Sequence, residues 1–144
     1  MTPKGNNLNR LRKYQILAML DRYEEALDER EKAANLLPPN DASRLEFYGF
    51  KYKLSGDTLQ SNEYYLRALA EYDKQIANNE NAYITKKVTI LIYLDRIIEA
   101  KETLQLANQK NPKDEEIKTL LDNVDSLADE FNKEISTIRI KLKK

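Results

Sequence analysis

The chain has no cysteine, no histidine and no tryptophan, and only three glycines and four prolines among 144 residues. Each absence removes a class of chemistry. Without cysteine there are no disulfides and no thiol nucleophile, although this fits any redox compartment. Without histidine the commonest general base is missing. Zinc loses its usual nitrogen and sulfur ligands with the same two residue types. Gly5, Gly49 and Gly56 lie too far apart for a phosphate-cradling loop. No run of about 18 apolar residues appears, so no membrane span is expected. The opening Met1-Thr2-Pro3-Lys4-Gly5 carries no apolar signal segment. A cytoplasmic protein is expected, with an exported or periplasmic chain whose leader has been removed as the alternative.

What the chain does have is charge. Lysine plus arginine number 24, aspartate plus glutamate 24, and the net charge is zero. The distribution is uneven. Lys4, Arg10, Arg12 and Lys13 stand without an acid among them, the stretch Asp21 to Glu31 is acid-rich, and Arg139, Lys141, Lys143 and Lys144 crowd the end. Cations at a helix C-terminus complement its dipole, and the basic excess is too small for a protein that neutralises several phosphates. No nucleic-acid partner is expected. The acidic runs Glu24-Glu25 and Asp114-Glu115-Glu116 fall in first turns of helices, where carboxylates belong for the same dipole reason. A carboxylate pair can hydrolyse a glycoside, but nothing in the sequence sets one in a cleft. No catalytic residue, metal ligand or cofactor is expected.

The chain repeats itself. Ile16-Leu17-Ala18-Met19-Leu20-Asp21-Arg22-Tyr23-Glu24-Glu25-Ala26 returns as Ile90-Leu91-Ile92-Tyr93-Leu94-Asp95-Arg96-Ile97-Ile98-Glu99-Ala100. Each copy continues to an alanine and a proline at matching offsets, Ala33 and Pro38, then Ala107 and Pro112. The copies are separated by about two 34-residue periods, so a third unit belongs between them. There, Leu45-x-x-Tyr48-Gly49-x-x-Tyr52 leads into a Gly56-Asp57 turn, followed by Ser61, Tyr65 and Ala68. The small residues have a mechanical purpose. Ala26 and Ala33, like Ala100 and Ala107, share a helical stripe and permit close helix approach. The spacing also predicts a capping box at Asp21-x-x-Glu24, an N-cap at Asn111 ahead of Pro112, and a middle helix running to about Asn78. Glu29 is expected on an outer face.

These residues resemble the tetratricopeptide repeat family over roughly residues 7 to 113. The second-helix pattern Ala-x-x-x-(Arg/Leu)-x-x-Ala-x-x-x-x-Pro is the stronger match, while Lys13-Tyr14 and Lys87-Val88 replace the usual Leu-Gly pair in the outer units. The resemblance implies an all-α fold: a right-handed α-solenoid of three helix pairs (about 7–40, 41–80 and 81–113) with a long C-terminal helix over 114–144, all one domain. It also implies a concave groove lined by Leu11, Gln15, Ala18 and Met19, by Glu46, Phe50, Lys53 and Leu54, and by Thr85, Thr89, Ile92 and Tyr93. Of these, Gln15, Met19, Phe50, Lys53, Leu54, Thr89, Ile92 and Tyr93 are the candidate partner-binding residues. Positions that grip a terminal carboxylate in some members carry Leu11, Gln15, Phe47, Ala82 and Lys86, of which only Lys86 is basic. An apolar or amphipathic segment is therefore the expected guest.

The last thirty residues follow another rule. Ile117, Leu121, Val124, Ala128, Phe131, Ile135, Ile138 and Leu142 alternate four and three apart, the seam of a helix packed along a helix. Ile138 to Leu142 also alternates with period two, as a strand would; helix is the preferred reading. Phe131, Ile135 and Ile138 reach beyond a simple cap. They are expected either to dock back on the repeats or to pair two copies as a homodimer. Two functions follow: a protein–protein interaction module (scaffold, chaperone-like adaptor or toxin-capping partner), or a structural protein assembling through its last helix.

Overall fold

The computed structural model describes residues 12–19, 21–77 and 83–142. Every regular element among the described residues is an α-helix. They are α1 (described over 12–19), α2 Tyr23–Ala34, α3 Ala42–Ser55, α4 Thr58–Ala77, α5 Ile84–Tyr93, α6 Ile97–Lys110 and α7 Glu115–Leu142. Asn78, the expected end of α4, and the groove positions Leu11 and Ala82 lie outside the described residues.

Three tight turns join the helices in pairs, and all three share one backbone solution. The residue that ends the first helix is left-handed: Asp21 at φ 57°, Gly56 at φ 83° and Asp95 at φ 63°. The following amide then reaches back over the last turn: Arg22 to the Leu17 carbonyl (2.9 Å), Asp57 to Tyr52 (3.0 Å) and Arg96 to Leu91 (2.8 Å). This is the Schellman closure, which satisfies carbonyls that a helix end leaves unpaired. Glycine adopts the conformation freely, and aspartate tolerates it better than most residues.

That geometry overturns two expected caps. Asp21 is spent in the turn, so the N-cap position of α2 falls to Arg22, which makes no side-chain cap. Arg22 instead pairs with Glu25 through Nε at 3.0 Å. Likewise Asn111 terminates α6, its N–H bonded to the Ala107 carbonyl at 3.0 Å. Asp114 caps α7 in its place, its Oδ1 accepting from the Ile117 amide at 3.2 Å.

Small residues set the crossings. Ala26, Ala33, Ala68 and Ala100 are all buried. Where α3 meets α4, the Ser61 hydroxyl donates to the Gly49 carbonyl at 2.7 Å, and a Cβ on Gly49 would stand 2.7 Å from Cδ1 of Tyr65. Ala100 is 0 % exposed whereas Ala107 is 9 % exposed and borders a cleft with Ile76, Ile84 and Leu106. Ala100→Leu is therefore expected to cost about 1–3 kcal/mol by overpacking, and Ala107→Leu distinctly less. Equal melting temperatures for the two variants would show that the crossing at Ala100 is not tight. Glu29 is not outward-facing as expected: it is 7 % exposed and pairs with Lys13 at 3.2 Å and Lys32 at 3.5 Å.

The core has two parts. One gathers α5, α6 and the first half of α7 around Leu91, Leu104, Ile117 and Val124. The other gathers α3 and α4 with the second half of α7 around Leu45, Phe50, Tyr65, Ile135 and Ile138. Thus α7, 28 residues or about 42 Å long at 1.5 Å per residue, covers the last helix pair and then continues over the middle one. Its tail is helical through Leu142 rather than extended. The reason is visible in burial: Ile138 is buried while Ile140, its partner in the alternating pattern, is 59 % exposed.

Candidate functional site

The second half of α7 lies against the side chains that the sequence nominated for a groove. Phe50 and Leu54 of α3 are buried in one cluster with Ile135 and Ile138. Tyr93, from the end of α5, stacks on Phe131 at 5.2 Å between ring centroids and on Tyr65 at 5.4 Å, and meets Phe50 edge-on at 6.3 Å. Phe50, Leu54, Tyr93, Phe131, Ile135 and Ile138 thus come together at one place. Ile92 is buried in the neighbouring cluster. Gln15 is exposed and Met19 is 84 % exposed, so α1 contributes neither of its nominees to this contact.

Polar side chains fix the tail of α7 in position. Arg139 donates through Nε to the Leu54 carbonyl at 3.3 Å and through its terminal nitrogen to the Lys53 carbonyl. A guanidinium there adds donors at the C-terminal carbonyls of α3, of which Lys53 already accepts from the Gly56 amide, and complements the helix dipole. Lys141 reaches Asp21 at 3.2 Å. Lys53, another nominee, donates its ammonium to the Tyr93 carbonyl at 3.1 Å. Burial first, and Arg139 beside it second, hold that ammonium below the usual lysine range. The Thr89 hydroxyl is occupied by the Thr85 carbonyl at 3.0 Å.

The contact is not sealed. A cleft of about 540 Å³ opens between α2, α3 and the end of α7, with Leu27, Phe47, Leu54 and Leu142 on its apolar side and Glu24, Asp28 and Glu31 on its acidic side. A second opening, about 250 Å³, lies between α3 and α5 and is lined by Phe50, Tyr65, Thr89 and Tyr93 together with Arg30, Glu46, Thr85, Lys86 and Glu134.

Of this second opening, Glu46, Phe50, Thr85, Thr89 and Tyr93 were expected to line the groove, whereas Arg30 was not. Arg30 holds its guanidinium 4.7 Å from the Phe50 ring and 5.5 Å from those of Phe47 and Tyr14, a cation–π cage. Its position in the repeat, between Ala26 and Ala33, gave the only sequence signal. Glu46 keeps its Oε1 out of solvent without a donor. Burial, outweighing the attraction of Lys86 and Arg30, raises its carboxyl above the usual glutamate range. The sign of the pH effect follows. The folded state holds this proton more tightly than the unfolded one, so stability falls as pH rises above 4.5 through the raised value. Glu46→Gln is expected to raise the melting temperature at pH 7, with the gain shrinking as pH falls to about 4. A pH-independent difference would remove Glu46 as the titrating group.

Among the described residues no cluster of three or more potential metal-binding side chains occurs, and no helix is long and apolar enough to cross a membrane. Comparison of the chain with protein-family models, with curated proteins and with solved structures found no match.

Proposed function

We propose that the protein is a non-catalytic binding module of the tetratricopeptide-repeat kind, a short solenoid whose groove receives an amphipathic segment of another protein. Three helix pairs closed by the same left-handed turn support the repeat reading. The observation that carries the function is the occupant already in place. Phe131, Ile135 and Ile138 follow the four-and-three spacing of an amphipathic helix laid in a groove, and they rest against Phe50, Leu54 and Tyr93. A surface that accepts one such helix has the shape and chemistry to accept another. In this reading α7 covers the groove until a partner displaces its tail.

Self-association through the same stripe is the competing reading. It requires α7 to leave its own chain, because Ile135 and Ile138 are buried within it.

The test compares the intact chain with one cut after Lys133, using a synthetic peptide of residues 129–144 as the guest. The intact chain is expected to be monomeric and to bind the peptide weakly. The shortened chain is expected to stay helical and bind it saturably, with Phe50→Ala weakening binding by roughly thirtyfold, the loss of one buried anchor. An intact chain that dimerises with rising concentration, or a folded shortened chain that ignores the peptide, would remove the groove from the account.

A further inference from the structure

The end of α7 helps to build a cleft that it does not fill. The opening between α2, α3 and that end, about 540 Å³, falls within the range of roughly 300–1,000 Å³ that ligand sites occupy. Its walls can be touched from solvent. Leu27 of α2 and Leu142 of α7 are half-buried, and Glu24 and Asp28 are exposed. Phe47 and Leu54, both buried, close the cleft behind them. The carboxylates alone would be an ordinary solvated helix face. Here they border an apolar recess with room for a side chain.

Charge selects the guest. Three acids and two bases line the cleft, and both bases are already engaged. Lys51 donates to the two Glu31 oxygens at 2.9 and 3.0 Å, and Arg139 is spent on the carbonyls of Lys53 and Leu54. Glu24 and Asp28 make no hydrogen bond or ion pair among the described residues. They stand four apart on α2, side by side on one face. Glu24, in the first turn, also answers the helix dipole, an effect that fades within that turn and leaves Asp28 without such a duty. Two unanswered carboxylates beside an apolar recess complement a cation carried on an apolar body. Arginine fits best, because its planar fork can bond both carboxylates while its stem lies along apolar surface. We propose that this cleft docks a segment of a partner protein in which an arginine stands next to a large apolar residue. The guanidinium meets Glu24 and Asp28, and the apolar side chain enters between Leu27 and Leu142. The cleft is open with α7 in place, so this docking displaces nothing and does not rest on the groove reading.

The experiment uses the intact chain and three acetylated dipeptide amides: Leu-Arg, Leu-Glu and Gly-Arg. Binding is followed by amide chemical shifts in two-dimensional NMR. The Leu-Arg probe is expected to saturate, to shift the amides of Leu27, Asp28, Ser55 and Gly56 most, and to bind at least about fivefold more tightly than either other probe, the scale of one ion pair. Glu24→Gln combined with Asp28→Asn is expected to remove that advantage over Leu-Glu. Both positions are exposed, so the helical signal should not change. Glu102→Gln, on the exposed face of α6, is the control and should leave binding as it was. Leu142→Ala should weaken the Leu-Arg probe severalfold, and raising salt from about 0.05 to 0.5 M should do the same by screening. Equal binding of Leu-Glu would make the cleft an apolar recess without charge preference, and equal binding of Gly-Arg a plain cation site. Saturation by no probe would make it a cleft that holds water only. Probe binding that tightens about fivefold when Lys143 and Lys144 are changed to serine would make this chain's own end the occupant. A concentration-dependent dimer whose formation shifts the same amides would make it a second copy. Each of these overturns the proposal. None of them touches the groove reading, which the 129–144 peptide tests at Phe50.

Discussion

Gly49→Ala is expected to lower the melting temperature by roughly 3–12 °C, the equivalent of about 1–3 kcal/mol of overpacking. Two effects oppose each other at this position. Alanine is the better helix former by up to about 1 kcal/mol, and α3 is helical on both sides of Gly49. Against that, the new methyl would stand 2.7 to 2.9 Å from three atoms of the Tyr65 ring. The ring has nowhere to go: it is fully buried and stacked on Tyr93 at 5.4 Å. The clash therefore wins. The argument has an internal control. In a Tyr65→Ala background the three obstructing ring atoms are gone, so adding Gly49→Ala becomes neutral or stabilising as helix propensity takes over. Thermal melts of the four proteins give the coupling directly. A Gly49→Ala protein that melts at or above the parent would mean that α3 and α4 are not in close contact there.

The second large effect belongs to α7. Ile135→Ala and Ile138→Ala each remove a buried branched side chain, a change that costs about 2–5 kcal/mol where the site cannot collapse. Hydrogen exchange should show where the loss falls. Because the tail is held to the core by its own stripe and by the Arg139 and Lys141 contacts, the double variant is expected to release it as a unit. Exchange should quicken over residues 134–142 while α5 and α6 stay protected. Binding of a hydrophobic dye at the uncovered Phe50 and Leu54 should rise in parallel. Uniformly faster exchange throughout the chain would show instead that α7 opens only when everything does, and that its tail is not a separable cover.

Much of this architecture could be read from spacing alone. Gly56-Asp57 was expected to turn the chain between two helices, and Gly56 is left-handed there. The alanine stripes lie at buried crossings, and the α7 seam faces inward at Ile117, Val124, Ala128, Ile135 and Ile138. What spacing misjudged were the caps. Asp21-x-x-Glu24 has the letters of a capping box, but a left-handed Asp21 closes the preceding helix and cannot also open the next. Asn111 and Asp114 both flank Pro112 with cap-competent side chains, and only the three-dimensional course of the turn decides between them. Glu29 was misplaced because Lys13 covers it from another helix, a contact that no local pattern contains. Arg30, Tyr65 and Glu134 of the second opening were missed for a related reason. Its lining comes from α2, α3, α4, α5 and α7 at once, and the isolation of the Glu46 carboxylate depends on all of them. Of the nominated groove residues, Phe50, Leu54 and Tyr93 come together, whereas Gln15 and Met19 are exposed and Ile92 packs in the other cluster. That the chain's own tail would lie on them was legible only as one of two options, since a heptad stripe does not say what it packs against.

The bond from Arg139 to the carbonyl of Leu54 joins positions separated by most of the chain. A ribosome makes them in order, at about 5–20 residues per second. For roughly 4 to 17 seconds after Leu54 is made, its covering residue does not yet exist. Phe50 and Leu54 are then apolar side chains on a nascent helix, with their permanent neighbours Ile135 and Ile138 still unsynthesised. The newborn protein must pass through an uncovered state every time it is made. That interval is when a cognate segment made nearby has no intramolecular competitor, and when a holdase has the most to protect. Under the proposed function, a partner translated alongside this chain would meet the groove at its most receptive.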